Sequence, residues 1–117
     1  MADLDSLLRE VVSFRDERDW EQFHTPRNLA AGLAIEAAEL QQEMLWKSDD
    51  EVRELLGDPV AKERIQDEIG DVLIFALLLA HGTGVDPVTA VREKLTKNAA
   101  KYPVEKAKGS AKKYTEL

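Results

Sequence analysis

Apolar residues recur at helical spacing along almost the whole chain. Leu4, Leu7, Leu8, Val11 and Phe14 form a stripe that predicts a first helix from Leu4 to about Trp20. In "FHTPRN", Thr25 reads as an N-cap and Pro26 as the first residue of a second helix. That helix is expected to run to about Trp46, with Leu29, Leu33 and Leu40 on its buried side. Ser48 can cap a short helical segment, "DDEVRELL", that ends at Gly57. Asp58 and Pro59 repeat the cap-then-proline device and open a third long helix, expected to end near His81 where "HGTG" breaks it. Asp86 and Pro87 open a fourth, ending near Tyr102 before Pro103.

There is no strand pattern, internal repeat or long linker. Four long helices with short connections predict an all-α chain, a four-helix bundle over residues 1–102. Residues 103–117 are Lys-rich with few large apolar side chains, and are expected to form a basic tail, extended or ordered only by contact, within the same unit. The run Val72 to Ala80, "VLIFALLLA", is apolar around the whole helix and so should be buried on all sides. In a chain of 117 residues that implies helices contributing to a multi-subunit core, hence an oligomer.

Two helices break their own apolar stripes with carboxylates. Glu36 falls three residues after Leu33 and four before Leu40, and Glu39 lies at i+3 on the same side. Glu68 falls three after Ile65 and four before Val72, and Asp71 again lies at i+3. Antiparallel packing of the two helices would bring all four groups together. Carboxylates withdrawn from water must take up protons or find compensating cations. An all-oxygen donor set favours a hard divalent ion, Mg²⁺ or Mn²⁺. His24 and His81 do not follow the Glu-x-x-His spacing of di-iron bundles. Mg²⁺ on carboxylates keeps open positions for phosphate oxygens, so the expected chemistry is metal-assisted phosphate hydrolysis with a carboxylate as proton acceptor. Glu43 and Asp67 are nearby acids that could support the ligands or be plain surface.

Charge and composition narrow the partners. The net charge of −7 divides into −12 over residues 1–91 and +6 over residues 92–113, with Glu116 supplying the rest. An acidic body does not favour a nucleic-acid polymer as partner. The absence of cysteine excludes disulfides and thiolate sites and fits a reducing, cytoplasmic setting. The longest apolar run is nine residues, about half of a membrane span, so no membrane partner is expected.

The few aromatic residues cluster at helix ends. Trp20, Phe23 and His24 stand before the second helix and Trp46 at its far end, where they could stack on a nucleobase or simply pack. Phe75 lies one turn beyond Asp71 and could floor a pocket or belong to the core. Lys94 and Asn98 share one face of the fourth helix with Lys101 a turn on, a face suited to phosphate or to solvent.

Glu36-x-x-Glu39, 28 intervening residues, then Glu68-x-x-Asp71, resembles the metal signature of the all-α NTP pyrophosphohydrolases, the MazG-like group. "ERDWEQFHTPRNL", "LWK", "EIGDVLIF", "KYP" and "KKYTEL" extend the likeness to that group's dCTP pyrophosphatase branch over about residues 14–117. The resemblance implies an Mg²⁺-dependent enzyme that splits a nucleoside triphosphate, dCTP or a related dNTP, into monophosphate and pyrophosphate. It further implies that Glu36, Glu39, Glu68 and Asp71 hold the metal, with Glu39 also orienting the attacking water. By the same likeness Trp20, Phe23, His24, Trp46 and Phe75 would surround base and sugar, and Lys94 and Asn98 would meet the phosphates. Val11 stands where vertebrate members carry histidine and Phe75 where they carry tyrosine, which implies looser discrimination of the base.

Two other classes fit parts of the pattern. A non-catalytic nucleotide- or metal-binding sensor would keep the carboxylates and lose turnover. A helical interaction module would pair its acidic stripe with a basic helix and need no metal.

Overall fold

The computed structural model describes residues 3–117, so the first two residues of the expected 1–102 domain lie outside the described residues. The chain is all-helical, with no strand among the described residues. It divides into two compact units, Met1–Gly84 and Val85–Leu117.

The first unit holds α1 (Leu4–Glu17), α2 (Pro26–Gln42), α3 (Asp49–Leu56) and α4 (Pro59–Thr83), with a one-turn 3₁₀ segment over Glu21–Phe23. Each start follows from its cap. Thr25 accepts a hydrogen bond from the Asn28 amide at 3.3 Å, and Asp58 accepts one from the Val60 amide at 3.2 Å. Ser48 and Glu51 bond each other's backbone amides reciprocally at the start of α3. Gly84, at φ 71°, closes α4 in the left-handed region that glycine tolerates.

Two helix ends fall short of expectation. α1 stops at Glu17 rather than Trp20 because Asp19 turns to φ 55°, and the Trp20 amide reaches back to the Arg15 carbonyl at 3.2 Å. α2 stops at Gln42 rather than Trp46, which itself has φ 63°. No glycine marks either stop, so apolar spacing alone carried both helices too far.

α4 is the element against which α1, α2 and α3 each pack. The buried apolar side chains are Leu29 on α2 and Ala61, Ile65, Leu77 and Leu78 on α4. α2 and α4 run antiparallel in one register. Leu29 faces Gly82, where a Cβ would stand 3.8 Å from Leu29 Cδ1, and Gly32 faces the Phe75 ring. At the other end Arg64 donates to Glu43 at 3.4 Å. Leu29 is 1% exposed at this seam, so Leu29→Ala is expected to cost about 2–5 kcal/mol, read from denaturant unfolding.

The stripe on α1 differs from the sequence reading. Leu4, Leu8, Val11 and Val12 are half-buried and Arg15 is buried, whereas Leu7 and Phe14 are exposed, so the inward face is centred about one position further round. The run Val72 to Ala80 is likewise not buried on all sides within the chain: Leu77 and Leu78 are buried, but Leu73 is 54% and Ile74 39% exposed. The other helices of this unit cover only part of the circumference of α4.

The second unit holds α5 (Pro87–Lys101), α6 (Val104–Ala107) and a 3₁₀ turn at Tyr114–Glu116. Asp86 caps α5 through the Thr89 amide at 2.9 Å and hydroxyl at 2.8 Å. The basic tail is more structured than an extended segment. Pro103 starts the single turn of α6, and Tyr114 returns edge-on to Tyr102 at 6.1 Å with Lys101 Nζ 4.9 Å from its ring. No single helix is long and apolar enough to cross a membrane.

Candidate metal centre

The caps fix where each helix begins, and the antiparallel register then sets which residues face each other. Glu36 and Glu39 on α2 meet Glu68 on α4 between the Gly32–Phe75 and Glu43–Arg64 contacts. One carboxylate oxygen from each of Glu36, Glu39 and Glu68 lies within 4.8 Å of the other two. Asp71 is not in that tight group. It is exposed, one turn along α4, and lines an open hollow with Asp67, Gly70 and Ile74.

Glu36 and Glu68 are half-buried and Glu39 is exposed. Glu36 Oε2 and Glu68 Oε2 are both shielded from solvent, and neither meets a hydrogen-bond donor. Shielded carboxylate oxygens without donors are costly unless a proton or cation meets them. The electrostatics agree with the geometry. Glu36 is pushed up to about 7, foremost by a proton shared with Glu39, then by loss of water and by the charges of Glu39, Asp71 and Glu68. Glu68 is also held above the usual carboxylate range, first by loss of water and then by the charges of Glu39 and Asp71. Oxygen-only donors that repel one another, two of them with a shielded oxygen that no donor reaches, fit a hard divalent cation well.

The other residues expected at a site are spread over both units. Trp20 and His24 contact each other, with ring centroids 6.1 Å apart, and Phe14 packs edge-on to Trp20 at 5.9 Å. His24 Nδ1 is shielded and unpartnered, while Phe23 is 61% exposed. Asn28 ties this turn to α2 by donating to the Phe23 carbonyl at 3.0 Å. Trp46 is 92% exposed, a free-standing indole after α2. Phe75 lies against the backbone of α2 at Gly32. In the second unit, Lys94 and Asn98 line a shallow hollow on α5 with Ala90, Val91 and Leu95.

Arg15 was missed at the sequence level. It is 6% exposed, holds Asp16 at 2.8 Å and lies 3.9 Å from Glu21, and its carbonyl anchors the turn that presents Trp20. Its spacing after Val11 and Val12 continued the stripe, but its charge argued for solvent. Glu43 is paired with Arg64 rather than free, and its charge adds to the upward push on Glu68.

A family model described as MazG-like matches residues 32–117, a span that includes all four carboxylates. The chain is 43% identical over 114 residues to dCTP pyrophosphatase 1 of Rattus norvegicus, covering 97% of this chain and 67% of that one. It is 41% identical over 114 residues to dCTP pyrophosphatase 1 of Homo sapiens, with the same coverage. The crystal structure of a pyrophosphatase from Archaeoglobus fulgidus superposes with a TM-score of 0.80 at 40% identity, covering 88% of this chain and 94% of that one. A family model matching residues 32–117 and relatives more than 40% identical over 114 residues together show that the chain belongs to the MazG-like family.

Proposed function

We propose that this chain is an Mg²⁺-dependent nucleoside triphosphate pyrophosphohydrolase that converts dCTP or a related dNTP to the monophosphate and pyrophosphate. The observation that carries this reading is the meeting of Glu36, Glu39 and Glu68 within 4.8 Å across α2 and α4, in a chain 43% identical to a dCTP pyrophosphatase. Glu36, Glu39 and Glu68, with Asp71 one turn along α4, would hold the metal, and Mn²⁺ could replace Mg²⁺ on the same oxygens. A bound divalent ion supplies charge neutralisation for the phosphate oxygens.

The chain's own residues do the rest. Glu39 is the exposed member of the close group, so it is the carboxylate open to solvent that can orient a water and accept its proton. Water adds to phosphorus, the bridge between the first and second phosphates breaks, and monophosphate and pyrophosphate leave. Trp20 and His24, their rings tilted 55° to each other, offer aromatic faces to the base, with Phe23, Trp46 and Phe75 as further apolar groups for it. On one face of α5, Lys94 and Asn98 offer an ammonium and an amide suited to phosphate. We assign residues 1–102 to the catalytic domain and 103–117 to a basic tail of the same domain. The exposed Ile69, Leu73 and Ile74 on α4 support assembly as a homodimer or homotetramer that covers them. The acidic body and the want of cysteine fit a cytoplasmic enzyme acting on free nucleotides.

The test is product identity. Each dNTP and NTP is incubated with the protein in Mg²⁺ or EDTA, and the products are separated by anion exchange. Monophosphate with pyrophosphate is expected, in Mg²⁺ alone, with dCTP among the better substrates. Diphosphate with orthophosphate would contradict the assignment, and no product from any nucleotide would favour a binding protein without turnover.

A further inference from the structure

The carboxylates are bracketed symmetrically. Gly32 lies four residues before Glu36 and Phe75 four after Asp71, while Glu43 lies four after Glu39 and Arg64 four before Glu68. The site therefore has one interhelical contact a turn away on either side. The Glu43–Arg64 bridge is long, at 3.4 Å, and Arg64 is half-exposed, so it is the weaker of the two. The other contact is a close approach of ring to backbone. A Cβ built on Gly32 would lie 2.9 Å or less from three Phe75 ring atoms, nearer than real side chains pack. Glycine in a helix interior is disfavoured against alanine, so a glycine in mid-α2 needs a local reason. Gly70 on α4 shows the contrast, since a Cβ there would meet nothing within 4 Å.

We propose that the Phe75 ring seated on Gly32 sets the separation of α2 and α4 at the carboxylates, which makes Gly32 and Phe75 positioning residues for metal binding. This rests on the carboxylates being a metal site. Mg²⁺ and Mn²⁺ need their oxygens at little more than about 2 Å, with near-octahedral geometry. Oxygens already up to 4.8 Å apart have little room for further separation. A methyl at position 32 would overlap the ring, one turn from Glu36, and α4 is expected to move outward with it.

The test is calorimetric titration of Mn²⁺ alone into the full chain, with thermal unfolding of each variant recorded without metal. Gly32→Ala is expected to weaken Mn²⁺ about tenfold, the size of effect found when groups supporting metal ligands are altered. Phe75→Leu in the Gly32→Ala background removes the obstructing ring and is expected to bring affinity back to within about threefold of wild type, a coupling that two independent substitutions would not show. A contact that served stability alone would lower the unfolding midpoint and leave Mn²⁺ affinity where it was. Folded Gly32→Ala with wild-type affinity would overturn the inference while leaving the metal site intact. Should Gly32→Ala fail to fold, the double variant is expected to fold and bind, and its failure to do either would equally overturn the inference. Wild-type protein that takes up no Mn²⁺ would overturn the metal-site reading and this inference with it.

Discussion

Glu68→Gln is expected to lower turnover at least about a hundredfold and, in the metal-free protein at pH 8, to raise the unfolding midpoint. The two effects share one cause. Removing one preorganised charged contact commonly costs 10²–10³-fold in rate, and here the lost oxygen is one of the three that converge. In the apo protein the same oxygen is a liability. Its Oε2 is shielded without a donor, and the charges of Glu39, Asp71 and Glu43 all bear on it. A neutral amide relieves that repulsion and keeps the shape. An enzyme that loses activity while its apo fold gains stability would mark Glu68 as functional. Loss of both would make it an ordinary structural residue. Initial rates with dCTP and Mg²⁺, beside differential scanning calorimetry in EDTA, read the two sides.

The second large effect is with pH, and its sign changes when metal is added. Glu36 has a folded-state value of about 7 against 4.5 for the free side chain. Between those limits the folded chain holds the proton more tightly than the unfolded chain does. Its contribution to stability is therefore unfavourable above about pH 7, shrinks as pH falls and vanishes below about 4.5. For this group apo protein is expected to be more stable at pH 6 than at pH 8. Metal must displace that proton, so Mg²⁺ affinity should fall as pH drops below about 7, approaching tenfold per unit for one displaced proton. The rise in unfolding midpoint on adding Mg²⁺ should thus be larger at pH 8 than at pH 6. Midpoints across pH 5.5–8.5, with and without Mg²⁺, would test both signs at once. A metal-induced rise that is flat with pH would contradict the assignment of Glu36 as a ligand.

Helix starts were legible because their chemistry is local. Thr25–Pro26, Asp58–Pro59 and Asp86–Pro87 each announce a cap and first residue, and each begins a helix where expected. Two helix ends were not: α1 stops where Asp19 turns to φ 55°, and α2 stops at Gln42 with no glycine to mark it, whereas the ends at Gly57, near His81 and near Tyr102 were legible from their glycines and proline. The phase of the carboxylates was readable from the apolar stripe alone. Which three oxygens would converge was not, since that depends on the register between α2 and α4. That register rests on long-range contacts such as Gly32 with Phe75, which no local pattern reveals. Arg15 escaped for a related reason: its burial follows from Asp16 and the turn folding over it, not from its own polarity.

The most direct measurement is calorimetric titration of Mn²⁺ at pH 6.5 in two buffers of different ionisation heat, with wild type beside the Glu36→Gln/Glu68→Gln variant. The difference between buffers counts the protons released. The account expects wild type to bind with release of a fraction of a proton, the release disappearing by pH 8.5, and the variant to bind far more weakly. Equal Mn²⁺ binding by both proteins, or none by wild type, would contradict a metal centre built on these carboxylates.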